Sequence, residues 1–197
     1  MSVMSNAQNI FLSHVPGDRH YANEFRDLLA SSHWSVRSST VADMEASWEA
    51  ANADSWAAYK DALRTCDILV VLVGPTTRES QWVDWEIDLA TASRTAGLAA
   101  GLLGLILPEH PDFRSRYYEP ERIPLRLHDR TLWEYAMVRK WGGTNSEITA
   151  WLEQALRRRR TYRSETSMAT LLEIHRRKWD ESVDQPRPNP KRLLEHD

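Results

Sequence analysis

Apolar residues fall along this chain in two rhythms. One is the unbroken run, clearest at residues 67–73, DILVVLV, which Gly74-Pro75 ends. A run rich in branched residues and apolar at every position predicts a strand buried on both faces, as in the middle of a parallel sheet. LLGLIL at 102–107, ended by Pro108, predicts a second such strand, and NIFLS at 9–13 a first. A weaker strand is expected at 34–38. The other rhythm is helical. Tyr21, Ala22, Phe25, Leu28 and Leu29 recur at three- and four-residue spacing and predict a helix over 18–30, with Asp18 standing where an N-cap belongs. Further helices are expected at 55–65 and 81–95.

Strands alternating with helices over short connections predict right-handed crossovers and a doubly wound parallel α/β sheet in three layers. Residues 40–54 read as an irregular loop with a helical turn. Four of the nine prolines fall between Pro108 and Pro124, and 109–124 reads as an insertion loop. Residues 125–135 are expected to supply a last short strand. Gly142-Gly143 breaks the chain, and helices are expected at 146–160 and 165–179. The resulting division is a flexible start at 1–8, an α/β domain at 9–141, a C-terminal helical extension at 142–180 packed on that domain, and a flexible tail at 181–197 containing QPRPNPK.

Composition narrows the class. The 197 residues suit one α/β domain. A net charge of −3 gives no global basic field, so neither nucleic acid nor an anionic membrane is an expected partner. The single cysteine, Cys66, excludes an internal disulfide and reads as a small packed residue. MSVMSNAQN lacks the basic and apolar regions of a signal peptide, and the apolar stretch 97–107 is too short to span a bilayer; a cytoplasmic location is expected. The seven histidines include no pair with metal-ligand spacing, so no metal is expected. The run RRRR at 157–160, with Arg176, Arg177 and Lys178, reads as a solvated helix face with salt bridges.

In a doubly wound sheet ligands bind beyond the carboxyl ends of the strands, where strand order reverses. With order 2-1-3-4-5 that point lies between the first and third strands. The loops at 14–19 and 74–82 face each other there, and Ser80, Trp82, Asp84 and Glu86 border the crevice. Glu86 follows Trp82 by four residues and shares its helix face; the helix N-terminus favours an ionised carboxylate by roughly 0.3–1 kcal/mol. A carboxylate beside an aromatic wall suits N-glycosidic cleavage, whose oxocarbenium-like ribosyl cation an anion stabilises. The alternative is a solvated surface carboxylate beside a core-packing Trp82. Ser13-His14 is no hydrolase dyad, since adjacent residues leaving a strand diverge. A phosphoacceptor of the response-regulator kind is discounted, because DILVVLVGP ends without an aspartate.

Three segments carry a family resemblance. NIFLSHVPGD resembles the opening strand and loop of TIR domains. ESQWVDWEIDLA resembles the segment in which Ser80, Trp82 and a catalytic Glu86 follow in order. SWEAANADSWAAYKDALRTCDILVVLVGPTT is similar to the TIR-like domains of the Thoeris antiphage defence system, the ThsB type, and LWEYAMVRKWGG echoes their C-terminal region. The resemblance implies a flavodoxin-like fold and NAD as substrate, with no bound cofactor; no G-x-G-x-x-G loop is present. It implies release of nicotinamide and an ADP-ribose-derived second messenger, in several members a cyclised isomer, that acts on a separate effector once phage is sensed. Self-assembly through TIR–TIR contacts is also implied. Carried over residue by residue, Glu86 is the catalytic carboxylate, and Phe11, Ser13, His14, Asp43, Trp48, Ser80 and Trp82 are substrate-binding candidates. The alternative function is a non-catalytic TIR-like adaptor.

Overall fold

The computed structural model describes residues 8–38, 53–92, 99–142 and 144–161. Five parallel strands form one sheet in the order β2-β1-β3-β4-β5. They are β1 (Gln8–Ser13), β2 (Trp34–Ser38), β3 (Ile68–Val73), β4 (Gly101–Ile106) and β5 (Ala136–Lys140). The helices are α1 (Arg19–Leu29), α2 (Ala53–Thr65), α3 (Gln81–Thr91), α4 (Leu125–Leu132) and α5 (Asn145–Thr161). Ile10 pairs with Ile68, Ile68 with Gly101, and Leu102 with Ala136, so β3 and β4 start level while β1 starts earlier and β5 one residue later.

Every residue of β3 and β4 is buried, as continuous apolarity requires. Each buried aliphatic side chain there stabilises by roughly 1.5–3 kcal/mol, which concentrates the folding energy on the middle of the sheet. One face carries α1 through Tyr21, Ala22, Phe25 and Leu29, and α5 through Ile148, Leu152, Ala155 and Leu156. The opposite face carries α2 through Tyr59 and Leu63, α3 through Val83, Ile87 and Ala90, and α4 through Leu127. Two layers of helix around one sheet make the flavodoxin-like α/β architecture. The α5 helix comes so close to β4 that a Cβ on Gly101 would sit 2.8 Å from the Ala155 carbonyl oxygen. Among the described residues no helix is long and apolar enough to cross a membrane.

Two expectations need correction. Residues 125–135 do not form the last strand. Pro124, at φ −51°, sits just before α4, and its carbonyl accepts a hydrogen bond from the His128 amide at 3.0 Å. Only Leu127 of this helix is buried, while Leu125 and Leu132 are exposed. The strand begins four residues past the helix, after Glu134 takes a left-handed φ of 56°. Asp18 occupies the N-cap position of α1 but makes no capping bond; its carboxylate is drawn instead to Thr77 across the crevice. The expected helix at 165–179 and residues 40–52 of the loop expected at 40–54 lie outside the described residues, while Ala53 and Asp54 already belong to α2.

The arginine run at the end of α5 divides its work. Arg157 pairs with Glu153 one turn back at 3.7 Å. Arg158 donates to the carbonyls of Glu134 and Ala136 at 3.0 and 2.8 Å, holding the start of β5. Arg159 donates to the Asp67 carbonyl at 2.7 Å and pairs with its carboxylate at 3.1 Å. For these three arginines the contacts are local staples within the domain; the side chains of Arg160, Arg176, Arg177 and Lys178 lie outside the described residues.

Candidate functional site

At the strand-order reversal a polar link joins two loops. Asp18, in the turn Pro16–Asp18 after β1, is buried beside Gly74 at the end of β3. Thr77 Oγ1 accepts from the Gly74 amide at 2.9 Å and lies 3.3 Å from Asp18 Oδ2 and 3.2 Å from the Leu72 carbonyl, so its one proton is shared between two acceptors. Burial pushes the Asp18 carboxyl above its usual range, opposed by its bonds from Thr77 and Gly74. Gly74 has no room for a side chain: a Cβ would overlap the Asp18 carboxylate.

Glu86 lies on the sheet face covered by α2 and α3. It projects from the second turn of α3 into the core and is 2% exposed. Both carboxylate oxygens are held. Ser13, the last residue of β1, donates its hydroxyl to Oε2, and Tyr59 of α2 donates to Oε1. The surface-carboxylate reading is thereby excluded. The helix N-terminus does not govern its ionisation as expected, because Glu86 is the sixth residue of α3 and the dipole effect fades within the first turn. Burial governs instead, raising the Glu86 pKa from 4.5 to about 7 against the lowering pull of the Ser13 and Tyr59 bonds. Burial also raises the Tyr59 hydroxyl far above its usual value, as does the neighbouring carboxylate, so Tyr59 stays a neutral donor.

An aromatic cluster flanks this carboxylate. Trp56 stacks on Tyr59 at 5.7 Å and on Trp85 at 5.3 Å, and Trp82 meets Trp85 edge-on at 5.1 Å and Trp56 at 5.5 Å. Phe11 of β1 meets Tyr59 edge-on at 5.5 Å from beneath. Trp56, Trp82 and Trp85 are half-buried, so the cluster reaches from the core to the surface.

Of the candidates named from sequence, Phe11, Ser13 and Glu86 meet at one point through Tyr59 or directly, and Trp82 lies one ring further out. His14 is buried next to Ser13. Ser80 is the N-cap of α3, accepting from the Val83 amide at 3.3 Å. Asp84 turns away to α4, accepting from the Arg126 amide at 3.3 Å, while Arg126 pairs with Asp88 at 2.7 Å. Asp43 and Trp48 lie outside the described residues. Sequence reasoning missed Tyr59, Trp56 and Trp85. Trp56 and Tyr59 are three apart and therefore share a helix face. That signal was present, but nothing in α2 alone indicates which strand-end it faces. Among the described residues no group of three or more His, Cys, Asp or Glu side chains could hold a metal ion.

The family model for the Thoeris protein ThsB, TIR-like domain, matches residues 11–110. The chain belongs to this family. The match begins inside β1 and runs past β4, so it spans Ser13, Tyr59, Glu86 and the whole aromatic cluster of this TIR-like domain. No curated protein matches the chain.

Proposed function

We propose that this TIR-like protein cleaves the nicotinamide–ribose bond of NAD, with Glu86 as the carboxylate that steadies the ribosyl cation. The observation that carries the reading is a carboxylate held by two hydroxyls at the end of β1, beside a tryptophan cluster that reaches the surface. The leaving nicotinamide is already cationic, so no strong general acid is needed and one anion suffices. Ser13 and Tyr59 fix its orientation without supplying a proton to the leaving group. Tryptophan faces suit the flat nicotinamide and adenine rings. At 2% exposure Glu86 meets substrate only after its cover opens, which fits an enzyme that stays quiet until triggered. The product is an ADP-ribose derivative, in this reading cyclised and used as a messenger for a separate effector in antiphage defence, in the cytoplasm.

The test is mass spectrometry of metabolites from phage-infected cells expressing the wild type or Glu86→Gln. The reading expects nicotinamide and an ADP-ribose isomer with the wild type only. Equal product from the variant would overturn it. The closure of Glu86 also suits a second reading, a non-catalytic adaptor acting through TIR–TIR assembly; that reading expects no NAD loss under infection and assembly unchanged by Glu86→Ala.

A further inference from the structure

A groove of about 540 Å³ opens at the carboxyl ends of β4 and β5 and shares no residue with the Glu86 site. Its floor is apolar, formed by Ile106, Val138 and the ring of Tyr118. Tyr118 is fixed there, its hydroxyl 3.1 Å from Thr131 Oγ1 and its ring edge-on to His128 at 6.2 Å. His128 also lines the groove, and its Nδ1 is shielded from solvent with no hydrogen-bond partner among the described residues.

The rim is cationic. Arg116, Arg139 and Lys140 converge on it. Arg139 donates to the Val138 carbonyl at 3.1 Å and Lys140 to the Ser115 carbonyl, bonds that hold the side chains without neutralising them. Arg116 lies over the ring of Tyr117 at 5.4 Å, and Tyr117 is 72% exposed. Among the described residues no carboxylate lies within 4.0 Å of any of the three, whereas Arg122, Arg126, Arg157 and Arg159 each have one. On a chain of net charge −3, three uncompensated cations around one apolar floor are a local feature and not a reflection of the whole.

We propose that this groove binds a small nucleotide, its base packed between Val138 and Tyr118 and its phosphates held by Arg116, Arg139 and Lys140. The volume lies within the ordinary range for small-ligand sites, roughly 300–1,000 Å³. A polynucleotide would require a longer basic stripe, and a membrane a broad basic face. Guanidinium groups recognise phosphate by paired donors, and an aromatic floor takes the base.

The experiment is isothermal titration of the full chain with ADP, which has no nicotinamide bond and so reads binding without turnover. Wild type is expected to bind one ADP, more weakly at higher salt. The Arg116→Gln/Arg139→Gln double variant is expected to lose affinity at least about tenfold, and Val138→Trp, which fills the floor, to lose it as well; both are to keep wild-type circular dichroism. Should one variant fail to fold, the other decides. No saturable binding to the wild type, or undiminished affinity in a folded variant, would overturn the proposal. So would pyrophosphate binding as tightly as ADP, since the base would then contribute nothing, or a single-stranded oligonucleotide binding where ADP does not.

Discussion

At the scale of single residues, Glu86 is a carboxylate that folding disfavours. Its pKa rises from 4.5 to about 7, so the folded chain holds that proton more tightly than the unfolded chain does. The stability it contributes is complete below pH 4.5, falls as pH climbs toward 7, and is constant above that. The loss is on the order of 3 kcal/mol. Replacing Glu86 by Gln removes the ionisable group and keeps the shape, so the variant should melt several degrees above wild type at pH 8, with the gap closing toward pH 4.5. Thermal melts across that range check this. A variant no more stable at pH 8 would mean that the ionised carboxylate is fully compensated by its two hydroxyl partners. Gly74 offers a second residue-scale prediction. Gly74→Ala drives a methyl group into Asp18 and should cost about 1–3 kcal/mol by denaturant titration.

At the scale of elements, the buried strands were legible because burial on both faces leaves no polar interruption, as in β3 and β4. Ser80, named from sequence only as a substrate-binding candidate, also serves as the N-cap of α3, accepting from the Val83 amide. Residues 125–140 were not legible. Leu125 and Leu132 are apolar yet exposed, so periodicity misled, and β5 is an edge strand with only Ala136 and Met137 buried. Asp18 illustrates a different limit: its local sequence suits a cap, but a tertiary partner, Thr77, takes the carboxylate. The same holds at the site. Glu86 and Trp82 could be read from one helix, whereas Tyr59 joins them only because α2 and α3 pack side by side on the same face. The contact of α5 with β4 gives the prediction at this scale. Gly101→Ala should push the helix from the sheet and destabilise by about 1–3 kcal/mol, measurable by urea unfolding. Unchanged stability would mean that α5 shifts freely.

At the scale of the whole molecule, the strand-order reversal, the end of β1 and two helices converge on one carboxylate, and the family match covers all three contributions. On the proposed function, Glu86 must be ionised to act, and its hydroxyl partners tune when it is. The direct test is the rate of nicotinamide release from NAD against pH, under triggering conditions, for wild type, Tyr59→Phe and Glu86→Gln. Wild type should rise through an inflection near pH 7 and level off above it. Tyr59→Phe removes a bond that favours the charged form, so its inflection should move to higher pH; Glu86→Gln should be inactive throughout. A wild-type profile flat from pH 5 to 9, or turnover surviving in Glu86→Gln, would contradict the account.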